Sequence, residues 1–580
     1  MKKSFFKYAL VTTAIALGSV ALSSCSDSDD PVSEVQEQEI AWSDLVAYNL
    51  VKAALKAQSY GSGLSFQVET LSESGISFEG EDDANGPLIS LFDVTPTNSY
   101  VSGQWTKQYN GIAAANDAIE KISALKSGER DPATYQFPEG VVLSTDGKNL
   151  ALGGAYFTRG LAYFSLVQLY GEVPIYTSTT NSSGGERQSI EKVYEQAEAD
   201  LKKAEELLPE TLGSRSYPTK YAAEAILAKL YLVWATASIP AGDVAENALQ
   251  FDQSKLASAV TYADKVINSN KYSLETDYLK IQPGRLNKYG AEHIYNVGYS
   301  LGDSGPNDGG NHQSHCAFSY GFDVDPKTQP PHIGPSSFDL YTKWDNDNAN
   351  KQYDRRREFS YTAYLAKPNS SPDGNPANDI VYDFTPANDW LPFYGKGIDR
   401  TYYEGPLLSP YERDIDLIVI RYGEILLIKA EALIEQNKEL TTAKNLINTI
   451  RRRGYNVGEF ANSSINPHSL TAADIEITAA SQADLRKALR SERANEFVYE
   501  QKRWFDLVRW HNFIATVLTV KGFTEYNASP AEGSFHAKVK KHLQKRYEAV
   551  SKADAKKFYL WPIPEAAIEL NSKLTQNYGY

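Results

Sequence analysis

The chain has 580 residues, and its 73 acidic and 58 basic side chains give it a formal charge of −15 at pH 7. Nucleic-acid binding requires clustered positive charge, so this balance disfavours a nucleic-acid partner. Aromatic residues make up 12% of the chain and include 38 tyrosines. Aromatic faces flanked by polar side chains suit sugars, so the composition is compatible with a carbohydrate ligand without identifying one.

The N-terminus has the pattern of a secretory signal. Three lysines, at positions 2, 3 and 7, precede a short apolar stretch from Ala9 to Ala21, and LSSC follows at 22–25. The apolar stretch is too short to span a bilayer stably. Small residues before a cysteine match a bacterial lipobox, so we expect residues 1–24 to be removed and Cys25 to be acylated. An ordinary signal with a coincidental cysteine is the alternative.

The residues after Cys25 are acidic, with SDSDD at 26–30. We interpret residues 25–40 as a solvated tether between the lipid and the folded chain. The chain has only two cysteines, so a lipidated Cys25 would leave Cys316 without a partner for an intramolecular disulfide. Stability then has to come from the burial of a large core.

Apolar residues recur at helical spacing through much of the remaining chain, which predicts a mainly α fold. Helices are expected at 41–57, 104–122, 150–170, 191–208, 220–235, 256–268, 417–436, 442–453 and 482–510. Many come in pairs of similar length with short connections, which is typical of a tetratricopeptide-like scaffold. A generic helical bundle is the alternative. His293–Tyr299 alternates like a strand, so minor β structure is also expected.

Two regions, about 61–100 and 271–413, are irregular and rich in small and polar residues. Loops of this length are rare in a compact domain unless they have a function. We therefore predict a single domain from 41 to 580, in which these two regions pack onto the scaffold and face the ligand. The predicted scaffold segments are about 41–60, 101–270 and 414–580.

Aromatic side chains in the two loop regions are candidate ligand contacts, because a ligand would relieve the solvation cost of exposing them. We predict that Trp390 and Tyr320 stack on the faces of sugar rings. The other candidates are Phe318, Tyr394 and Phe78 for ring contacts, and Asp82, Asp83 and Asn85 for hydrogen bonds to hydroxyl groups.

Three glutamates, Glu492, Glu496 and Glu500, would share one face of the predicted helix at 482–510. A glycosidase needs two carboxylates that face one cleft. The same helix carries Arg486, Arg490, Arg493 and Arg503. Charges three or four positions apart form pairs on a helix, and ion-paired carboxylates are poor general acids. We therefore interpret the three glutamates, together with Glu424 and Glu431, as structural ion-pair partners.

Other motif-like stretches do not indicate catalysis or metal binding. GDSGP at 302–306 imitates the nucleophile motif of trypsin-like proteases, but that chemistry needs a histidine and a buried aspartate placed by a double β-barrel. The only upstream histidine is His293, nine residues before Gly302, and the upstream chain is predicted to be helical. His312, His315 and Cys316 lack an evident fourth zinc ligand. DNDN at 345–348 is not followed by the remaining positions of a calcium loop. We expect no metal, no cofactor and no catalytic residue.

Five blocks of the sequence resemble the SusD/RagB family of surface nutrient-binding lipoproteins. They are 109–116 (YNGIAAAN), 155–175 (AYFTRGLAYFSLVQLYGEVPI), 421–433 (RYGEILLIKAEAL), 489–510, and 562–564 together with 576–577. In order and spacing they cover nearly all of the chain after the tether. Tyr578, where many members have proline, is a departure confined to the tail.

The resemblance implies a SusD-like, tetratricopeptide-based α fold and lipidation at the outer face of the outer membrane. It also implies glycan binding and a SusC-like TonB-dependent transporter, over which the protein would sit as a lid. The acidic run after Cys25 is similar to the surface-export signal of lipoproteins in bacteria that carry this family. No ligand residue carries over, because the loops vary most across such a scaffold.

Glycan capture without chemistry, followed by delivery to the transporter, is the function we expect. A surface peptide-capture lipoprotein of the same import architecture is the main alternative. A surface glycoside hydrolase is a further one, but it would need an unpaired pair of carboxylates in a loop-lined cleft. Binding screens of sugars against peptides, with assays for released sugar, separate the three.

Overall fold

The computed structural model describes most of the chain from residue 85 onwards and shorter pieces elsewhere. The described residues are 41–42, 51, 54–55, 71–73, 75–77, 85–124, 126–127, 136–137, 141–142, 147–181, 183–212, 215–281, 290–297, 333–335, 349–362, 364–366, 380–383, 393–394, 396, 416–519, 531–552 and 554–580. Residues 41–580 form one compact unit.

α-Helices dominate the described residues. They are α1 (Gly86–Ser90), α2 (Ser99–Ala124), α3 (Gly147–Tyr170), α4 (Ile190–Leu207), α5 (Lys220–Trp234), α6 (Gln253–Asn268), α7 (Arg355–Ser360), α8 (Tyr422–Glu435), α9 (Leu440–Tyr455), α10 (Gln482–Glu496), α11 (Arg503–Arg509), α12 (Phe513–Thr519), α13 (Phe535–Val550) and α14 (Glu565–Leu570). Several begin at an N-cap whose side chain accepts a hydrogen bond from a backbone N–H of the first turn. These N-caps are Ser189, Thr219, Asp252, Ser481 and Ser534.

The strands are short and pair two by two. They are β1 (Ala41–Trp42), β2 (Gly75–Ser77), β3 (Lys126–Ser127), β4 (Gln136–Phe137), β5 (Val141–Val142), β6 (His293–Val297), β7 (Ile333–Pro335), β8 (Tyr361–Thr362), β9 (Tyr364–Ala366), β10 (Ile380–Asp383), β11 (Phe393–Tyr394) and β12 (Leu417–Arg421). The pair β1–β3 is parallel, and β2–β7, β4–β5, β6–β12, β8–β11 and β9–β10 are antiparallel. The prediction of a mainly α fold with minor β structure is confirmed.

The longer helices stack in chain order. Helix α2 packs on α3, α3 on α4, α4 on α5 and α5 on α6, and the stack continues from α6 to α8, α9 and α10. Apolar side chains from α2 to α6 share one buried cluster with the C-terminal segment, including Trp561 and Ile563. No helix among the described residues has the length and apolar character needed to cross a membrane.

Small residues allow the helices of this stack to approach closely. Gly160 of α3 lies against α4, where an added Cβ would stand 2.8 Å from Leu201 Cγ and 3.1 Å from the carbonyl oxygen of Ala197. The predicted end of α3 at Gly171 is confirmed, because this glycine adopts a left-handed φ of 72° that favours glycine. The spacing of α3 and α4 therefore depends on the missing side chain at residue 160.

Two predicted helices begin differently from the prediction. At 417–436, the first five residues form β12, which pairs with β6, and helix α8 begins at Tyr422. The β-branched run in Leu417–Arg421 favours a strand once a partner strand is available. At 41–57, Ala41–Trp42 form β1, whereas residues 51, 54 and 55 are helical.

The predicted continuous helix at 482–510 is interrupted. Helix α10 ends at Glu496 and α11 begins at Arg503. In the connecting turn, Tyr499 and Gln501 have φ values of 61° and 60°, a left-handed conformation that costs energy for residues other than glycine. Glu500 therefore lies in the turn, outside the helix face predicted for it.

A paired substitution tests the close approach of α3 and α4. We expect Gly160→Ala to lower the free energy of unfolding by about 1–3 kcal/mol, because the new methyl group overpacks this contact. In Gly103→Ala of α2, nothing lies within 4 Å of the new Cβ, so helix propensity should raise stability by about 0.8–1 kcal/mol. Thermal unfolding followed by circular dichroism measures both variants. Shifts in the same direction would contradict the packing argument.

Candidate functional site

The two predicted loop regions meet through short strands. Strand β2, from the first region, pairs with β7 of the second, with Ser77 opposite Ile333. Cα atoms of β7 and β11 approach within 8 Å, and β11 pairs with β8, with Tyr394 opposite Tyr361. We call β2, β7, β8 and β11 together the loop platform. It joins two stretches of chain that are more than 200 residues apart.

The predicted ligand residues border this platform in sequence. Phe78 directly follows β2, and the backbone of Tyr394 belongs to β11. Asn85 is the N-cap residue of α1, is half-buried, and its carbonyl oxygen accepts a hydrogen bond of 3.1 Å from Asn98 Nδ2. Six predicted residues lie outside the described residues: Phe78, Asp82, Asp83, Phe318, Tyr320 and Trp390. The lipidation site Cys25 lies outside them as well.

Arginines of the C-terminal helices fasten the β2 side of the platform. Arg546 of α13 donates a hydrogen bond of 2.7 Å to the carbonyl oxygen of Gly75 and another to that of Ser72. Arg503 at the start of α11 forms an ion pair with Glu73. Since backbone carbonyls and a carboxylate are both held, the chain that enters β2 is fixed by charge-assisted hydrogen bonds.

A buried cluster of charged side chains fastens the other side, and we call it the charge network. Its members are at most 8% exposed. They are five cations, Arg356, Lys396, Arg421, Arg451 and Arg453, and five carboxylates, Glu292, Asp354, Glu492, Glu496 and Glu500. Among the described residues these opposite charges balance one another in number, which is the condition under which such burial is tolerated.

Glu496 at the end of α10 is the centre of the network. Its Oε1 lies 2.7 Å from Arg421 Nη1 and also contacts Arg453, while its Oε2 lies 3.1 Å from Arg356 Nη1. Arg421 also reaches Glu292 Oε1 at 2.5 Å. These arginines belong to β12, α9 and α7, so one carboxylate connects three elements to α10.

Glu500, in the turn after α10, connects the network to the segment beside β11. Arg421 Nε lies 2.8 Å from Glu500 Oε2, and Lys396 Nζ lies 2.6 Å from Glu500 Oε1. Lys396 also donates a hydrogen bond of 2.8 Å to the carbonyl oxygen of Glu496. The left-handed residues on either side of Glu500 place its carboxylate between these two cations.

The network keeps Glu496 and Glu500 ionised. Burial alone would raise the pKa of Glu496, but the positive charges of Arg453, Arg421 and Arg356 lower that pKa to about 2. For Glu500, burial is likewise outweighed by Arg421 and Lys396, so its pKa is lowered. Burial lowers the pKa of Lys396 to about 8, against the opposing effect of Glu500. Carboxylates held in this state are poor proton donors.

The ion-pair interpretation of the glutamates is confirmed, but the predicted partners on their own helix are wrong. Arg493 pairs with Asp506, Arg486 with Glu435 and Arg503 with Glu73. The glutamates pair instead with cations from distant parts of the chain. Helix α10 ends before Glu500, and the i, i+4 geometry that the prediction assumed is therefore interrupted.

Glu424 and Glu431 of α8 are also paired, as predicted. Glu424 lies 3.0 Å from Lys229 Nζ and 3.1 Å from Lys502 Nζ. Glu431 accepts hydrogen bonds of 2.8 Å from Arg509 Nη2 and 2.7 Å from Trp510 Nε1. Both carboxylates are fully buried, so they serve helix packing rather than a solvent-accessible cleft.

Sequence reasoning missed the cations that complete the network. Arg356 and Glu492 are 136 positions apart, and Lys396 and Glu500 are 104 apart. No local spacing rule relates residues at such separations. The available signal was the run DRRR at 354–357, a concentration of charge inside a polar loop region that otherwise resembles solvent-exposed chain.

A cavity of about 240 Å³ lies between α2, the turn after α3 and α14. None of its lining residues is charged, and they include the rings of Trp105, Tyr109 and Tyr176. Two of its polar side chains already have partners: Tyr109 Oη donates to the carbonyl of Pro174 at 2.8 Å, and Asn116 Nδ2 to that of Tyr176 at 3.1 Å. The cavity thus offers an apolar surface but few free hydrogen-bonding groups for sugar hydroxyls.

Metal binding finds no support in the part of the chain that the structure describes. No group of three or more His, Cys, Asp or Glu side chains there is arranged to hold a metal ion. The predictions for His312, His315, Cys316 and the acidic run at 345–348 concern positions outside the described residues.

Comparison with known proteins identifies related sequences and folds. The sequence model of the SusD family matches residues 385–580, and a model described as starch-binding associating with outer membrane matches residues 49–232. SusD-like protein P2 of Formosa agariphila is 26% identical over 512 residues, which cover 84% of this chain and 88% of that protein.

Solved structures share the fold at lower identity. A SusD homolog from Bacteroides thetaiotaomicron superposes with a TM-score of 0.69 at 24% identity, covering 93% of this chain and 97% of that one. Surface glycan-binding protein A from Bacteroides fluxus gives 0.63 at 19% identity, covering 93% and 99%. A laminarin-binding SusD-like protein gives 0.56 at 18% identity, covering 93% and 100%.

Removal of a central arginine tests the charge network. We expect Arg421→Met to lower the free energy of unfolding by about 3–5 kcal/mol, because it removes one cation from the buried network and leaves a negative charge there uncompensated. The matched control is Arg452→Met on α9, whose partners Glu459 and Glu476 are partly exposed; there the change should stay below about 1 kcal/mol. Denaturant unfolding measures both, and equal losses would refute the central role of Arg421.

Acid should destabilise the protein within a defined window. The pKa values of Glu496 and Glu424 are lowered from 4.5 to about 2, so between these values the unfolded chain binds more protons than the folded one. The contribution of these two carboxylates to stability is therefore fully present above pH 4.5 and is lost as the pH decreases towards 2. Thermal midpoints across this range measure the loss, which should be less steep in Glu496→Gln. A flat profile would contradict the assignment.

Proposed function

This chain belongs to the SusD/RagB family, and on that premise we propose that it is a cell-surface glycan-binding lipoprotein that delivers oligo- or polysaccharide to a SusC-like TonB-dependent outer-membrane transporter. The observation that supports the proposal is the loop platform, in which short strands from the two loop regions pair with and approach one another. Rigid scaffolds with loops grouped at one site are the usual basis of ligand recognition.

Glycan as the ligand class is supported by the relatives. One matching family model is described as starch-binding, and two structures with the same fold are named as surface glycan-binding and laminarin-binding proteins. The aromatic and acidic residues in the sequence of the two loop regions suit sugars, since rings stack on the apolar faces of the pyranose or furanose. In this proposal Trp390 and Tyr320 provide the stacking, and Asp82, Asp83 and Asn85 bind hydroxyls.

A surface location follows from the same family. Its starch-binding model is described as associating with the outer membrane. In the proposal, Cys25 carries the lipid, residues 26–40 form the tether, and the folded domain starts near residue 41. Capture by a tethered protein suits a polymer ligand, because many repeats raise the effective affinity of a weak site.

Binding without catalysis is the proposed activity. The carboxylate cluster that could suggest a glycosidase is buried and ion-paired in the described residues, and a general acid needs a raised pKa and access to substrate. Peptide capture remains the alternative ligand class, and sheet edges of a strand platform are able to pair with an extended peptide.

A binding screen tests the proposal. We expect residues 31–580 to bind one of a panel that includes soluble starch and laminarin, measured by calorimetry and affinity electrophoresis, with no sugar released. Trp390→Ala should weaken this binding at least about tenfold, since loss of an aromatic anchor removes its stacking energy. The control is Tyr578→Ala, an aromatic side chain that is 60% exposed in the C-terminal tail, which should bind as wild type does.

Each contrary outcome has a defined meaning. Binding of peptides with silence across all polysaccharides would replace the glycan by a peptide ligand. Release of oligosaccharide over time would establish a hydrolase. Equal loss of binding in both variants would exclude the loop region around residue 390 as the site.

A further inference from the structure

Lys396 connects the loop platform to the charge network. It lies two residues after Tyr394, the last residue of β11, and six after Trp390. Its Nζ is held by Glu500 Oε1 at 2.6 Å and by the carbonyl oxygen of Glu496 at 2.8 Å. Its side chain is only 7% exposed. Burying an ammonium group is costly unless it is paired, so this lysine holds the end of β11 at a fixed place.

We propose that Lys396 is a positioning residue for ligand binding, whose ammonium group fixes the backbone at the end of β11 (Phe393–Tyr394) against the turn after α10. The proposal rests on the proposed function for the identity of the ligand surface. Its physical basis is pre-organisation: a loop held in its bound conformation loses less entropy when the ligand arrives.

The other end of this part of the platform is fastened to the same glutamates. Arg356 in α7 lies five residues before Tyr361, which pairs with Tyr394 across β8 and β11. Arg356 contacts Glu492 and reaches Glu496 Oε2 at 3.1 Å. The chain between β8 and β11 thus starts and ends at one group of carboxylates, so both of its ends are fixed relative to α10.

The role of Lys396 in positioning β11 is separable from its share in the charge balance. Glu500 also accepts hydrogen bonds from Arg421, at 2.8 Å from Nε and 3.0 Å from Nη2. Loss of Lys396 therefore leaves Glu500 paired, and its remaining cost to stability is that of removing one buried cation, which a control variant elsewhere in the fold reproduces. Among the described residues, Lys396 makes the only ion pair between the segment beside β11 and the turn after α10. That segment is therefore the one released when Lys396 is lost.

Lys502 provides a matched control. It is equally buried, at 6%, and it also contacts one carboxylate and one backbone carbonyl: Glu424 at 3.1 Å and Val419 at 2.7 Å. Glu424 keeps a second cation, Lys229, when Lys502 is lost. The two lysines thus differ in position, since Lys502 lies between α10 and α11 of the scaffold and Lys396 lies in the loop region.

The experiment compares Lys396→Met with Lys502→Met in the 31–580 protein. In Lys396→Met we expect faster amide hydrogen exchange in the peptide containing Phe393–Tyr394 and about tenfold weaker binding of the polysaccharide, starch or laminarin, that wild type binds. In Lys502→Met we expect both to match wild type. Thermal midpoints of the two variants measure their global stability. If Lys396 had only a structural role, affinity would fall in step with the thermal midpoint in both variants.

Two results would overturn the proposal. Unchanged exchange at Phe393–Tyr394 in Lys396→Met would show that the lysine does not hold this segment. Equal loss of affinity in both variants would show that the removal of any one buried cation weakens binding. If wild type binds neither polysaccharide, the proposed function fails, while the exchange measurement still decides whether Lys396 positions β11.

Discussion

The pairing of Glu496 with three arginines is the interaction on which the arrangement of β12, α9 and α7 around the end of α10 depends. Arginines from β12, α9 and α7 converge on this single buried carboxylate. A buried ion pair adds little net stability compared with a well-packed apolar contact, yet removing one partner is expensive. Such a network therefore acts mainly by selecting one arrangement of the connected elements, because every alternative leaves a charge unpaired.

The helical scaffold and the loop regions are stabilised by different kinds of contact. Helices α2 to α6 have apolar faces, and their packing depends on close approach at small residues such as Gly160. The sequence of the loop regions lacks the regular apolar spacing of the helices. Their described parts are held by directional contacts: Arg546 donates to the carbonyl of Gly75, and Arg356 and Lys396 reach the carboxylates at the end of α10. Guanidinium groups suit this task because each offers several donors in a fixed plane.

Apolar periodicity predicted the scaffold helices well because their burial is local in sequence and regular in period. It did not find the break between α10 and α11, where Tyr499 and Gln501 adopt left-handed conformations without glycine. It also left α13 unassigned, although Ser534 as N-cap and the buried residues Val539 and Leu543 provided a signal. The glutamates were correctly interpreted as ion-pair partners. Which cations they pair with is decided by tertiary contacts, and no local sequence rule predicts these.

A base fixed by buried charge allows the ligand-facing side chains to vary. The contacts that hold β11 and α7 use the side chains of Lys396 and Arg356 and a backbone carbonyl of the α10 turn. On the proposed function, substitutions elsewhere in the loops leave these contacts in place and alter ligand chemistry without rebuilding the base. A solved chain 24% identical shares the fold over 93% of this one with a TM-score of 0.69, so the fold itself tolerates extensive change of sequence. Under this proposal specificity is set in the loops, and the network is the part that a change of ligand does not require to change.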